Sequence, residues 1–328
     1  MIELPNAAPG TAQDENDGRG DGRLSLAARA RLAKGVKERG ATRPDLADDA
    51  AVAAWRDGIH RAWGEGTMAG EVDHVEAHLA GVAVAVAGPE AAPVTVLYAH
   101  GGGYALGSSG VAAPITARLA RVVRVVSVDY RLAPRHPFPA ALDDVCTVYR
   151  QLCQTTDAPV ALAGDSAGGA LVLGVALRGL SERWPKPAAI VLFCPHLDHL
   201  ERRRPLEGLG DDLARRDLSS GEDGSDTVDP EALAAAYRNG VDPTHPLLSP
   251  ARAPLSALAA LAPTLVQTGT ADPLHHQAVR FARRARSAGA PVELDLWEGL
   301  WHTWQYHREL PEAHRALDEA ITFLLRHA

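Results

Sequence analysis

The stretch VALAGDSAG, from Val160 to Gly168, decides the fold. Its apolar start predicts a buried strand, the glycine-flanked serine predicts a tight turn, and the small-residue run from Ala167 onward predicts a helix. Glycines two positions either side of Ser166 permit the cramped backbone of a nucleophile elbow, which lifts the serine hydroxyl clear of the sheet. A free serine hydroxyl is a poor nucleophile near neutral pH. The prediction therefore requires a base and oxyanion donors elsewhere in the chain.

Short β-rich runs alternate with helix-like segments around this turn. The predicted strands lack clean alternation, as expected for strands covered on both faces, and lie at 94–99, 122–128, 160–163, 190–193, 264–268 and 292–297. The predicted helices between them include 140–154, 167–180 and 275–288. This order predicts an α/β fold with a mostly parallel, doubly wound sheet, whose reactive groups collect at the carboxyl ends of the strands.

The remaining segments predict a hairpin and a cap. Apolar bursts at 72–79 and 82–87 predict an antiparallel hairpin, and apolar spacing predicts helices at 24–39, 45–63 and about 230–239. We predict five parts: a disordered acidic tail (1–23), N-terminal cap helices (24–70), the first part of a catalytic domain (71–195), a cap insertion (196–247) and the second part of the catalytic domain (248–328).

The composition excludes several classes of protein. Of 328 residues, 46% are hydrophobic and 23% are charged, which is typical of a soluble enzyme, and no apolar run approaches the roughly 18 residues of a membrane span. A net charge of −8 argues against nucleic-acid binding. The first residues lack a basic head and an apolar segment, so we predict a cytoplasmic protein. The three cysteines are too few and too scattered for a disulfide framework or a zinc site.

Two later strands are followed by the partners that a serine nucleophile needs. Asp272 follows the strand 264–268, and His302 follows the strand 292–297. The order Ser166, Asp272, His302 is the nucleophile, acid, histidine order of a catalytic triad on this type of sheet. Asp272 before a proline is also a good helix start, and the two roles are compatible.

A metal site is not predicted, although two histidines follow Asp272 closely. His275 and His276 are adjacent on a predicted helix, so their side chains point in different directions, and no second pair of ligands is evident. We predict no cofactor.

The run HGGGY, from His100 to Tyr104, follows the strand 94–99. Consecutive glycines allow the backbone to approach a bound carbonyl group, so we predict that the N–H groups of Gly102, Gly103 and Ala167 form an oxyanion hole. A phosphate-binding loop is the alternative interpretation. No lysine follows at the required spacing, which disfavours it.

From about residue 72 onward the chain resembles the hormone-sensitive lipase family of bacterial esterases. The matching motifs are HGGGYALGS (100–108), DYRLAP (129–134) with HPFPAALDD (136–144), GDSAGG (164–169), HPLLSP (245–250), GTADPL (269–274) and EGLWH (298–302). The resemblance implies an α/β-hydrolase with an eight-stranded sheet and a helical cap. It also implies a carboxylesterase that cleaves small-molecule esters of short to medium acyl chains without a cofactor.

Aromatic residues concentrate around His302 in a chain with only 5% aromatics. They either line the substrate site or pack the final helix against the sheet. We take Trp301, together with Tyr104 from the glycine loop, as candidate pocket residues.

Two alternatives to ester hydrolysis stay open at this point. The same triad could act on a secondary metabolite as a deacetylase, an amidase or a dehydratase/cyclase, because substrate choice depends on cap and pocket contacts. A non-catalytic binding protein is less favoured, since the plant gibberellin receptor resembles this family without its catalytic histidine, whereas His302 is present here. Acyl length and the choice between monomer and homodimer are also open.

Overall fold

A computed structural model describes residues 24–34, 48–64, 74–201 and 230–328. Eight strands form its sheet: β1 (His74–Leu79), β2 (Val82–Ala87), β3 (Thr95–Ala99), β4 (Arg124–Val128), β5 (Val160–Asp165), β6 (Ile190–Phe193), β7 (Thr264–Gly269) and β8 (Val292–Trp297). The strand order is β1-β2-β4-β3-β5-β6-β7-β8. Strand β2 pairs antiparallel with β1 and β4, and the other pairs are parallel. The predicted eight-stranded, mostly parallel sheet is confirmed.

Helices cover both faces of this sheet. They are α1 (Leu26–Lys34), α2 (Asp49–Gly64), α3 (Ala113–Leu119), α4 (Ala140–Thr155), α5 (Ala167–Glu182), α6 (Pro230–Arg238), α7 (Leu255–Ala259), α8 (His275–Ser287) and α9 (Pro311–Arg326). One large apolar cluster joins the sheet to α4, α5 and α8, and a second joins the opposite face to α3 and α9.

Strand β3 shows why the sequence lacks alternation. Leu97 and Ala99 belong to the first cluster, while Val96 and Tyr98 belong to the second. Both faces are therefore buried, and apolar side chains are favoured at every position.

The structure differs from the sequence predictions in a few places. Helix α3 was not anticipated, and its N-cap Ala112 makes no side-chain capping bond that would have marked its start. The strand predicted from Val122 begins at Arg124, because the N–H groups of Val122 and Val123 instead bond to Leu119 at the end of α3.

Several predictions fall wholly or partly outside the described residues. These are the tail 1–23, residues 35–47 and 65–70 of the predicted N-terminal cap segment, residues 72–73 of the predicted hairpin, and most of the cap insertion, residues 202–229. Within the described ranges, no helix has the length and apolar character needed to cross a membrane.

Candidate active site

The turn that carries Ser166 connects β5 to α5 at the carboxyl end of a central strand. Ser166 has φ 49° and ψ −117°, a conformation that residues with a side chain rarely adopt. A Cβ on Gly168 would lie 2.0 Å from the carbonyl oxygen of Ala99, so only glycine fits there. The Ser166 carbonyl accepts hydrogen bonds from the N–H groups of Gly169 and His196 at 3.1 and 2.9 Å. These contacts hold the backbone geometry of a nucleophile elbow.

Three predicted site residues come together from the ends of three strands. His302 Nε2 lies 3.0 Å from Ser166 Oγ, and His302 Nδ1 lies 3.0 Å from Asp272 Oδ1. Because an ionised carboxylate only accepts hydrogen bonds, His302 donates from Nδ1 and leaves Nε2 as the acceptor that faces the serine hydroxyl. The arrangement can remove the serine proton as the hydroxyl attacks a carbonyl carbon.

Asp272 is held as a carboxylate in a buried position. Burial on its own raises the pKa of Asp272, but attraction to His302 and hydrogen bonds from His302 and Leu274 outweigh it and lower the pKa. The Leu274 N–H donates to Oδ1 at 2.8 Å. Burial and the charge of Asp272 raise the pKa of the Cys194 thiol. Cys194 therefore stays protonated beside the carboxylate, and its thiol donates to Gln305 Oε1 at 3.8 Å.

Cys194, Asp272 and His302 also place three potential metal-ligating atoms within 4.8 Å of one another. Both ring nitrogens of His302 already have partners in Asp272 and Ser166, and a protonated thiol is a poor metal ligand. The donor set therefore suits proton transfer rather than metal binding.

The predicted oxyanion donors lie on two segments beside the serine. Among the described residues, the N–H groups of Gly102, Gly103 and Ala167 donate to no hydrogen-bond acceptor, so they are available to a bound oxygen atom. An ideal Cβ on Gly101 would lie 3.2 Å from the Ser166 Cβ, which places the glycine loop directly against the elbow. Such N–H groups can stabilise negative charge on a carbonyl oxygen.

Helix α6 lies over the glycine loop. The Leu233 side chain packs on Gly103, where an added Cβ would lie 3.1 Å from Leu233 Cδ1. Tyr237 stacks on Tyr104, with ring centroids 4.1 Å apart and planes 4° from parallel. Tyr104, one of the two candidate pocket residues, is only 1% exposed. This helix therefore forms an apolar wall beside the predicted oxyanion donors.

Two histidines contact the Tyr104 hydroxyl, His196 through Nδ1 at 3.3 Å and His199 through Nε2 at 3.2 Å. Burial, with a smaller contribution from Arg238, lowers the pKa of His199 to about 4. His199 is therefore neutral near neutral pH. His199 therefore contacts the Tyr104 hydroxyl through a hydrogen bond but adds no positive charge beside it.

Trp301, the other candidate pocket residue, is 4% exposed and lies in an apolar cluster with Ala28 of α1 and Ala313 of α9. Ser25, just before α1, also connects α1 to α9: its N–H and hydroxyl donate to the Glu312 carboxylate at 2.8 and 2.9 Å. Trp297 and Trp304 belong to this cluster too. All three tryptophans pack against apolar side chains of this cluster, and Trp297 Nε1 also donates to Asp295 Oδ2 at 2.7 Å.

Sequence reasoning missed the residues that support the site from behind. The Cys194 thiol lies within 4.8 Å of the Asp272 carboxylate, and Arg56 of α2 donates from Nε to the Ala105 carbonyl, next to Tyr104, at 2.7 Å. No short motif marks these residues, because each contacts a partner far away in the sequence.

Comparison with known proteins places this architecture in a family. A family described as having the alpha/beta hydrolase fold matches residues 96–306. The sheet, the elbow and this match define an α/β hydrolase. An acetyl-hydrolase of Streptomyces hygroscopicus is 38% identical over 236 residues, which cover 70% of this chain and 75% of that protein. An esterase of Acinetobacter venetianus is 30% identical over 237 residues, covering 70% and 73% of the two chains.

A solved structure agrees with these relatives. The crystal structure of an esterase from the bacterial hormone-sensitive lipase family matches with a TM-score of 0.77 and 30% identity, covering 93% of this chain and 99% of that one. The chain belongs to the bacterial hormone-sensitive lipase family of α/β hydrolases, and the resemblance drawn from its motifs is confirmed.

Proposed function

We propose that this protein is a carboxylesterase that cleaves esters of short to medium acyl chains through an acyl-enzyme on Ser166. The observation that carries the proposal is the unbroken chain of contacts from Ser166 Oγ to His302 to Asp272, with both hydrogen-bond distances at 3.0 Å. Relatives named acetyl-hydrolase, esterase and ethyl acetate hydrolase support the same class of substrate.

In the proposed reaction, the Ser166 oxygen attacks the ester carbonyl carbon while His302 Nε2 takes the serine proton. Asp272 keeps the His302 tautomer and stabilises the imidazolium that forms. The N–H groups of Gly102, Gly103 and Ala167 bind the oxyanion. The tetrahedral species collapses, and His302 passes the proton to the leaving alcohol; a water molecule, deprotonated by the same histidine, then releases the acid.

The apolar wall of Leu233 and Tyr237 supports a limit on acyl length. Leu233 is 1% exposed and packs on Gly103, which is one of the proposed oxyanion donors. A substrate whose carbonyl oxygen binds at that donor would therefore place its acyl chain next to this wall. We therefore propose acetyl to butyryl esters as the favoured group.

Turnover of p-nitrophenyl acetate and butyrate by Ser166→Ala tests the proposal. We expect that variant to lose at least about 10³-fold in kcat, since the nucleophile is gone. Ser127→Ala is the control, because Ser127 is a buried serine on β4 whose hydroxyl has no hydrogen-bond partner among the described residues. Wild-type activity in Ser166→Ala would refute the proposal.

The cytoplasmic location and the oligomeric state stay predictions. Cell fractionation tests the first, and size-exclusion chromatography tests the second.

A further inference from the structure

Arg56 of α2 is a charged side chain that contacts the glycine loop and that the proposed reaction does not use. Its Nε donates to the Ala105 carbonyl at 2.7 Å, and its Nη2 donates to the Ala133 carbonyl. The Arg56 side chain is partly buried. Its neighbour Trp55 is 4% exposed and lies with Ala105 and Ala133 in the first apolar cluster. Helix α2 therefore brings a positive charge to the glycine loop.

Two peptide groups connect this charge to a proposed oxyanion donor. The Ala105 carbonyl, which accepts from Arg56, belongs to the same peptide group as the Leu106 N–H. That N–H donates to the Gly102 carbonyl at 2.8 Å, and the Gly102 carbonyl belongs to the same peptide group as the Gly103 N–H. Both peptide groups are trans, so in each of them the C=O and the N–H point in opposite directions. Their dipoles therefore run in the same sense, from the guanidinium toward the oxyanion.

A second set of contacts fixes the same carbonyl group. The Ala133 N–H donates to the Tyr104 carbonyl at 2.9 Å. The Ala105 N–H, in the same peptide group as that carbonyl, donates to the Gly102 carbonyl at 3.1 Å. Both peptide groups that donate to Gly102 are thus held by Arg56, one directly and the other through Ala133. Because a peptide group is planar, a fixed carbonyl also fixes the N–H on its other side, which is the proposed oxyanion donor.

We propose that Arg56 is a positioning residue of the oxyanion hole, whose guanidinium orients and polarises the peptide groups that end in the Gly103 N–H. The proposal rests on the proposed function, because it concerns the same donor. Hydrogen bonds in a chain polarise one another, so the charge of Arg56 strengthens the Gly103 N–H as a donor. The path from Arg56 Nε to a bound oxygen is about 13 Å long. Opposite unit charges at this separation, with an effective dielectric constant near 20, attract by an amount that corresponds to about tenfold in rate.

Arg56→Met and Arg286→Met form a matched pair of test variants. Arg286 also donates from Nε to a backbone carbonyl at 2.7 Å, but its acceptor is Val292, at the start of β8. The proposed site lies at the carboxyl ends of the strands, at the opposite edge of the sheet. We expect Arg56→Met to lower kcat for p-nitrophenyl butyrate about tenfold with KM within about twofold, because charge in the transition state rather than substrate binding is affected. We expect Arg286→Met to keep kcat within about twofold.

Arg56→Lys and Arg56→Gln separate the charge from the hydrogen bond. Both replacements keep one nitrogen donor, but only lysine keeps the positive charge. We expect kcat within about threefold of the wild type in Arg56→Lys and close to that of Arg56→Met in Arg56→Gln. Equal values of kcat in the lysine and glutamine variants would overturn the role of the charge, and this comparison holds even if Arg56→Met does not fold.

Inhibition by an alkyl trifluoromethyl ketone measures the oxyanion hole separately from turnover. The Ser166 oxygen adds to the ketone carbon, the serine proton passes to His302, and the former ketone oxygen becomes an oxyanion. We expect the inhibition constant to rise about tenfold in Arg56→Met and to stay within about twofold in Arg286→Met. An unchanged constant in Arg56→Met, or equal values of kcat in this pair, would overturn the proposal.

The amide ¹⁵N signals of Gly103 and Leu106 give a readout that needs no catalysis, because each nitrogen shares a peptide group with a carbonyl of the chain of hydrogen bonds. They should shift in Arg56→Met and stay in place in Arg286→Met. Unshifted signals in Arg56→Met would overturn the proposal as well. A wild type that hydrolyses no ester refutes the proposed function instead, while these signals still test the connection from Arg56 to Gly103.

Discussion

Replacing Asp272 with asparagine separates the charge of this carboxylate from its hydrogen bonds. Asp272 Oδ1 accepts from both His302 Nδ1, at 3.0 Å, and the Leu274 N–H, at 2.8 Å. In the variant, these two N–H donors favour the side-chain orientation that places the amide oxygen of asparagine, rather than its NH₂ group, at the Oδ1 position. His302 therefore keeps its proton on Nδ1. The variant then loses the attraction between a carboxylate and the imidazolium that forms as Ser166 gives up its proton, together with the long 3.5 Å hydrogen bond from the Thr268 hydroxyl to Oδ2.

The size of this loss follows from the geometry. Opposite unit charges about 4 Å apart attract by about 4 kcal/mol at an effective dielectric constant near 20. This corresponds to a fall in kcat of about 10³-fold. If the amide instead turned its NH₂ group toward His302, the tautomer would invert and the loss would approach about 10⁴-fold.

Steady-state hydrolysis of p-nitrophenyl butyrate measures this loss, with thermal unfolding as a check that the variant is folded. Asp295→Asn is the matched control: Asp295 lies on β8 and accepts hydrogen bonds from Gln267 Nε2 at 3.1 Å and Trp297 Nε1 at 2.7 Å. We expect this control to keep kcat within about twofold, because neither hydrogen-bond partner of Asp295 belongs to the proposed triad or oxyanion hole. A loss below about tenfold in Asp272→Asn would refute the assigned role of its charge.

Three further predictions follow from single contacts. Gly168→Ala places a Cβ 2.0 Å from the Ala99 carbonyl oxygen, so it should lower the free energy of unfolding by about 3 kcal/mol; an unchanged urea midpoint would contradict this. Burial lowers the pKa of His199 from 6.5 to about 4. As pH falls from 6.5 to about 4, His199 is therefore protonated in the unfolded state but stays neutral in the folded state. Stability should drop by about 3 kcal/mol from this group, and His199→Gln should flatten the pH dependence of unfolding, whereas parallel curves would count against it. Leu233→Ala removes the side chain that packs on Gly103 and should raise kcat/KM for longer p-nitrophenyl esters relative to the acetate; an unchanged chain-length profile would show that Leu233 does not limit acyl length.

The order of strands and helices along the chain, and the approach of the three predicted triad residues, could be read from sequence, because both depend on local patterns. Apolar runs mark the ends of β5, β7 and β8, and parallel strands bring those ends to one edge of the sheet. Ser166, Asp272 and His302 each follow such an end directly or after a short turn. Their approach therefore needed no knowledge of side-chain packing.

Contacts between distant segments could not be read in this way. Trp301 lies in the same apolar cluster as Ala28 of α1, and nothing in the residues around His302 indicates that α1 packs there. The Arg56–Ala105 hydrogen bond joins residues that are far apart in the chain, and Arg56 belongs to no motif. Helix α3 was missed for a local reason, since its first turn has neither a capping side chain nor an acidic residue.

Labelling with a p-nitrophenyl alkylphosphonate tests most directly the claim that Ser166 is an activated nucleophile. This reagent forms a stable adduct only with an activated serine, and release of p-nitrophenolate counts the sites that have reacted. We predict one equivalent of p-nitrophenolate per chain, a phosphonyl group on the Ser166 peptide in the mass spectrum, and parallel loss of ester hydrolysis. An adduct on a different residue, or an unlabelled Ser166 in protein that still hydrolyses esters, would contradict the claim.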